Sequence, residues 1–135
     1  MLTESPLSIE EHVHIVSSKS CGAVSSFMGT TRDNYKGEKV LSLFYEAYVP
    51  MAEKEIRKIV ERAGTQWELH SVSVAHRLGT VEAGEPGVVI CASSSHRQDS
   101  LNAVSFIIDE IKNKVPIWKK EVRENSQEWK PGVKV

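Results

Sequence analysis

Apolar residues in this chain change their period several times, and each change marks an element. Ile9, Val13 and Val16 recur at helical spacing, and Ser8-Ile9-Glu10-Glu11 before them has the spacing of a capping box. A short helix is therefore expected over about residues 8–17. After Cys21-Gly22, residues 23–29 read as a strand and 30–39 as a polar loop with turn residues. Residues 40–48 are rich in strand formers and are expected to pair with the preceding strand as a hairpin. Pro50 suits the first turn of a helix, which Met51, Ile56, Ile59, Val60 and Ala63 continue until Gly64, its expected end.

A strand over 67–78, with Leu69, Val72, Val74 and Ala75, ends in His76-Arg77-Leu78-Gly79. A turn region is expected over 81–86. The unbroken apolar run 88–92 then suits a strand in the middle of a sheet. Residues 124–135 are polar, with Trp129 as the evident anchor. The order α, β-hairpin, α, β-hairpin, α, β predicts an α+β fold with helices on one face of a mixed sheet, in a single domain over 1–135.

The stretch from 93 to 122 carries the most chemistry. Leu101, Val104, Ile107, Ile108 and Ile111 form an apolar helical stripe. Lys112 projects near the edge of that stripe, above Ile108, and Asp109 is an ordinary surface partner for it. Lys114 lies on the opposite edge, four residues after Glu110, where an ion pair accounts for it. Ser95 and Gln98 have capping-box spacing, which puts His96 and Arg97 in the first turn. Cations there oppose the helix dipole, yet free N–H groups beside an arginine suit an anion. Pro116 drives Val115 out of helical geometry and stops the helix. Beyond it, Ile117, Lys119 and Glu121 share one face of an extended segment and Trp118, Lys120 and Val122 the other. Lys119 and Lys120 thus point opposite ways.

Composition narrows the chemistry. With 135 residues, 40% hydrophobic and 26% charged, the chain reads as globular. A net charge of −1 gives no protein-wide field for nucleic acid or anionic membrane, so any cationic site is local. Cys21 and Cys91 make no disulfide framework and have no metal-ligand spacing, and Cys91 sits in an apolar run as a buried thiol. The five histidines are scattered, and His12 and His14 face different ways on one helix. The N-terminus lacks signal-peptide character and no apolar run reaches bilayer length, so a cytosolic location is expected. No metal and no cofactor is expected. From the residues alone, a transferase handling anionic partners and a non-catalytic anion-binding module fit equally.

Ser95-His96-Arg97, Ile111-Lys112 and the segment Val115-Pro116-Ile117-Trp118-Lys119-Lys120-Glu121 resemble the large, catalytic subunits of molybdopterin synthase. So do Gly22-Ala23-Val24 through Gly29-Thr30-Thr31-Arg32, Tyr45-Glu46-Ala47-Tyr48 with Pro50-Met51-Ala52, and His76-Arg77-Leu78-Gly79. The resemblance covers about residues 8–129. It implies an α/β hammerhead fold and a sulfurtransferase of molybdenum cofactor biosynthesis. Such an enzyme installs the two dithiolene sulfurs of molybdopterin on cyclic pyranopterin monophosphate. The sulfur arrives as a thiocarboxylate at the Gly-Gly end of a small ubiquitin-like subunit, and two large subunits form the central dimer of a heterotetramer. By position, Lys112 and Lys119 are the implied catalytic lysines. Arg32, His96 and Arg97 bind the phosphate and pterin, and Lys120 and Glu121 complete the pocket. Thr30 and Thr31 stand where some relatives carry a basic residue, which implies less charge in that loop.

Overall fold

The computed structural model describes residues 1–124 and the backbone of 127–129. The apolar run becomes strand β7 (Pro86–Ser94), buried from Gly87 to Ser94. A strand covered on both faces needs hydrogen-bonding neighbours on both edges. These are β5 (Ser71–Arg77) and β2 (Ala23–Thr30), both antiparallel to it, with β1 (Leu2–Thr3) parallel to β5 beyond. β2 is the outer strand of this sheet.

A second sheet is centred on β4 (Glu38–Ala47), which pairs antiparallel with β3 (Asn34–Tyr35), β6 (Gly79–Glu82) and β8 (Ile117–Arg123). β9 (Gln127–Trp129) lies outside β8. The hairpin expected between 23–29 and 40–48 therefore does not form. The polar loop between them carries the chain from one sheet to the other, with β3 inside it. The uneven alternation of 40–48 also has a cause: the register of β4 against β8 shifts between Val40 and Ser42, a bulge that re-aims the side chains beyond it. Residues 79–82, expected partly as turn, are strand, and the reversal comes at Ala83-Gly84-Glu85. Gly79, at φ 82°, supplies the left-handed residue where β5 leaves the first sheet and β6 enters the second.

Helix α1 (Ile9–Val16) is capped by Ser8, whose side chain accepts the Glu11 N–H. It covers one face of the first sheet, where Val16 meets Val89 and Cys91. Helix α3 (Arg97–Lys114) covers the other through Val104, Ile107, Ile108 and Ile111, packed with Val88, Ile90 and Ala92. The helices thus flank both faces of the first of two sheets, not one face of one sheet. Leu101, on the stripe by spacing, is 56% exposed, and the inward positions of its turn are Ser100 and Ala103. Helix α2 (Val49–Gln66) runs through Gly64 and ends where Trp67 turns extended; Trp67 stacks edge-on with Phe106 of α3. The anchor reading of Trp129 concerns a side chain outside the described residues. Among the described residues, no helix is long and apolar enough to cross a membrane.

Candidate active site

α3 and β8 approach from different directions and deliver the two lysines to one place. The apolar stripe of α3 seats Ile108 and Ile111 in the core, and the next position, Lys112, emerges at the rim of a cavity of about 550 Å³. The α3 carbonyl ladder stops at Val115, which is extended before Pro116, and β8 begins at Ile117. Strand alternation then points Lys119 and Glu121 into the same cavity. β4 contributes Val40, Leu43 and Tyr45, the end of β2 contributes Phe27 to Thr30, and Arg32, Asn34 and Tyr35 form a further wall.

Charge in this cavity is mixed, with cations in excess. Arg32, Lys112 and Lys119 stand against the carboxylate of Glu121, which is buried and accepts a hydrogen bond from Arg123 Nε at 2.7 Å. Lys112 forms no ion pair with Asp109, whereas Lys114 binds Glu110 at 3.1 Å and Arg62 binds the same carboxylate at 2.6 Å. Those cations hold Glu110 below its usual carboxylate range, Lys114 foremost. The bland reading of Lys114 is right, and the corresponding one for Lys112 is not.

The apolar side of the wall hides two titratable groups. Tyr45 is buried, and desolvation lifts its phenol to about 12. Behind it, His76 is fully buried, its ring edge-on to Tyr45 at 4.8 Å. Burial lowers His76 to about 4, and the charge of Lys119 contributes in the same direction. Because Nδ1 lies 2.8 Å from the Arg77 carbonyl, the neutral ring carries its proton on Nδ1 and donates it there. A positive charge near Tyr45 therefore comes from the lysines and arginine, not from this histidine.

The remaining residues expected at the site lie elsewhere in a single chain. His96 is the N-cap of α3 without a side-chain cap bond, Arg97 opens the helix, and both are exposed. Ser95 makes no capping box; Ser94 takes its place, its hydroxyl accepting the Ser100 N–H at 3.1 Å. Arg97 and Lys112 are separated by fifteen positions, about 22 Å along the helix axis at 1.5 Å per residue. Lys120 is on the other face of β8, its ammonium 5.3 Å from the Phe44 ring centre, and does not line the cavity. Asn34 and Tyr35 line the cavity and Arg123 bonds to Glu121 from behind it, and none of the three stood out in the sequence; Tyr45, which also lines it, appeared only within a motif of the resemblance. For Tyr45 the signal was present, since Leu43 and Tyr45 alternate on one face of a strand.

Among the described residues, no group of three His, Cys, Asp or Glu side chains could hold a metal. Cys91 is fully buried, which raises its thiol pKa.

The profile of the MoaE protein family matches residues 2–114. The human molybdopterin synthase catalytic subunit is 52% identical over 128 residues, 95% of this chain and 68% of the human one. The chain thus spans about two thirds of the length of that relative. A crystal structure of molybdopterin synthase from Staphylococcus aureus superposes with a TM-score of 0.92 at 36% identity, over 97% of this chain and 96% of that one. A chain from the Helicobacter pylori complex of subunits 1 and 2 of molybdopterin-converting factor shares the fold, with a TM-score of 0.80 at 20% identity over 96% and 88% of the two chains.

Proposed function

This chain belongs to the MoaE family, and we propose that it is the catalytic subunit of a molybdopterin synthase, taking sulfur from a thiocarboxylated small ubiquitin-like subunit to cyclic pyranopterin monophosphate. The observation that carries this reading is the convergence of Lys112 and Lys119, from a helix and a strand, on one cavity with Arg32 and Glu121. Both substrates are anions, and a cavity with excess cations that is partly closed to water strengthens its hold on them.

The chemistry divides between the lysines. The thiocarboxylate sulfur attacks an oxygen-bearing carbon of the pterin precursor: a carbon–sulfur bond forms, the carbon–oxygen bond there breaks with the oxygen leaving as water or as the opened phosphate ester, and the small subunit stays attached as a thioester. Water then adds to the acyl carbon and the carbon–sulfur bond to the carrier breaks, which frees a carboxylate and leaves a thiolate on the pterin. Lys112 neutralises the oxyanion of the acyl intermediate, and Lys119 moves protons at the pterin carbons. Two loaded small subunits are consumed per product. Neither cysteine is needed as a sulfur carrier.

In this reading His96 and Arg97 reach the cavity from a second copy of the chain. Among the described residues no strand pairs beyond β2, where Val24 and Met28 are exposed, and an uncovered edge of this kind invites a partner strand. Antiparallel pairing of β2 with its counterpart about a twofold axis sets Ala23 of one copy beside Thr30 of the other. Gly22 N–H donates to the Ser95 carbonyl, so the His96–Arg97 corner travels with that end of β2. Eight strand residues span about 26 Å, enough to cover the separation along α3.

The test mixes the purified chain, thiocarboxylated small subunit and precursor, and measures molybdopterin. Lys119→Ala and Lys112→Ala are each expected to lower turnover by about 10²–10⁴-fold, as for loss of a proton-transfer or oxyanion group. A wild-type chain that makes no molybdopterin would be a non-catalytic binding module instead, and full turnover by both variants would remove the two lysines from the chemistry.

A further inference from the structure

Arg123 closes β8 and does not line the cavity, yet its guanidinium joins Glu121 and Tyr35 of the cavity wall to Glu38 at the start of β4. Nε donates to Glu121 Oε1 and Nη1 to Glu38 Oε2, each at 2.7 Å, and the group lies 5.9 Å from the Tyr35 ring centre. Glu121 is buried and faces the cavity, whereas Glu38 is 61% exposed at the start of β4. Between Tyr35 and Glu38 the chain reverses through Lys36 and Gly37, both at positive φ (51° and 83°), as a two-residue hairpin turn demands.

We propose that Arg123 is a positioning residue: it holds the Glu121 carboxylate toward the β3–β4 hairpin and straps that hairpin, with Tyr35, along the cavity mouth. The proposal rests on the sulfur-transfer reading of the cavity. Its electrostatic part follows from sign and distance. Glu121 is the negative side chain among the cations that must bind an anion, and a guanidinium behind it offsets that charge without occupying the cavity. Its geometric part follows from arginine's planar fork, which can donate to two carboxylates at once, whereas a lysine ammonium is a single point of charge.

The test is steady-state kinetics of the full chain assembled with its small subunit. Arg123→Gln is expected to raise KM for the pterin phosphate about tenfold, with kcat within about twofold, a difference of one decade in affinity. Arg123→Lys should recover part of that loss, because it restores the charge but not both bonds. An unchanged KM in Arg123→Gln, or a fall confined to kcat, would overturn the proposal. Glu38→Gln keeps the variant foldable, since it alters an exposed side chain. It should speed trypsin cleavage of the native chain after Lys36 and Lys39, and pterin phosphate should slow that cleavage. Cleavage at the wild-type rate would count against the strap. A wild-type chain without turnover would count against the sulfur-transfer reading, and the trypsin experiment would still decide the strap.

Discussion

The two ends of α3 began as equals: both are basic and both belong to the stretch that carries the chemistry. The structure treats them differently. At the C-terminal end Lys112 faces a cavity with Lys119, Arg32 and Glu121, walled by buried Tyr45 with His76 behind it. At the N-terminal end His96 and Arg97 are exposed beside a 56% exposed Leu101 and the open edge of β2. One end is a charged cavity already assembled within the chain. The other has the composition of an anion site and the surroundings of an interface, and the second copy proposed above would reconcile the two.

The comparison can be broken in three graded ways. The largest effect is kinetic. Lys112→Ala should cost turnover, whereas Arg97→Ala should mainly raise KM for the phosphate, by about 10–100-fold if a charge-assisted hydrogen bond worth 1.5–3 kcal/mol is lost. Equal losses of kcat in both variants would erase the distinction.

A smaller effect appears in stability against pH. His76 titrates near 4 when folded and near 6.5 when unfolded, so the unfolded chain binds the proton more tightly. The group's contribution is fully present above pH 6.5 and is lost as pH falls toward 4, by about 3 kcal/mol in all. Urea midpoints at pH 7 and pH 4.5 would register it, and His76→Gln should flatten the slope over that window. Arg97→Ala should leave the slope intact, because the exposed end of α3 is not part of that wall. The smallest effect belongs to Lys120→Ala. Loss of its contact with Phe44 should cost about 0.5–1 kcal/mol in a melt, and turnover should persist.

How far the sequence could be read follows the range of the interactions involved. The stripe Val104–Ile111, the stop at Pro116 and the opposed faces of Lys119 and Lys120 are local, and all three appear in the structure. Strand partnership is not local. Nothing near residues 40–48 announces that their partner is Ile117–Arg123, and the bulge after Val40 blurs the alternation that would have shown which face is inward. Arg123 escaped notice for the same reason, since Glu38 lies 85 positions away in sequence. The His96–Arg97 corner was legible as an anion-binding pattern but not as a position, because in the proposed assembly the place where it acts depends on a surface outside its own chain. Family resemblance, rather than spacing, supplied the substrate.

The measurement that bears most directly on the account is complementation between two disabled chains. Arg97→Ala and Lys112→Ala chains are co-expressed, so that mixed dimers form, and molybdopterin synthesis is assayed at precursor concentrations well below the raised KM of Arg97→Ala, where both parents are disabled. If each cavity takes Lys112 from its own chain and Arg97 from the partner, one site per mixed dimer is whole. A statistical mixture should then recover about a quarter of wild-type activity, from half the dimers with one of two sites intact. Activity no higher than the mean of the two parents would contradict the account, because no site would then draw Arg97 from the partner copy.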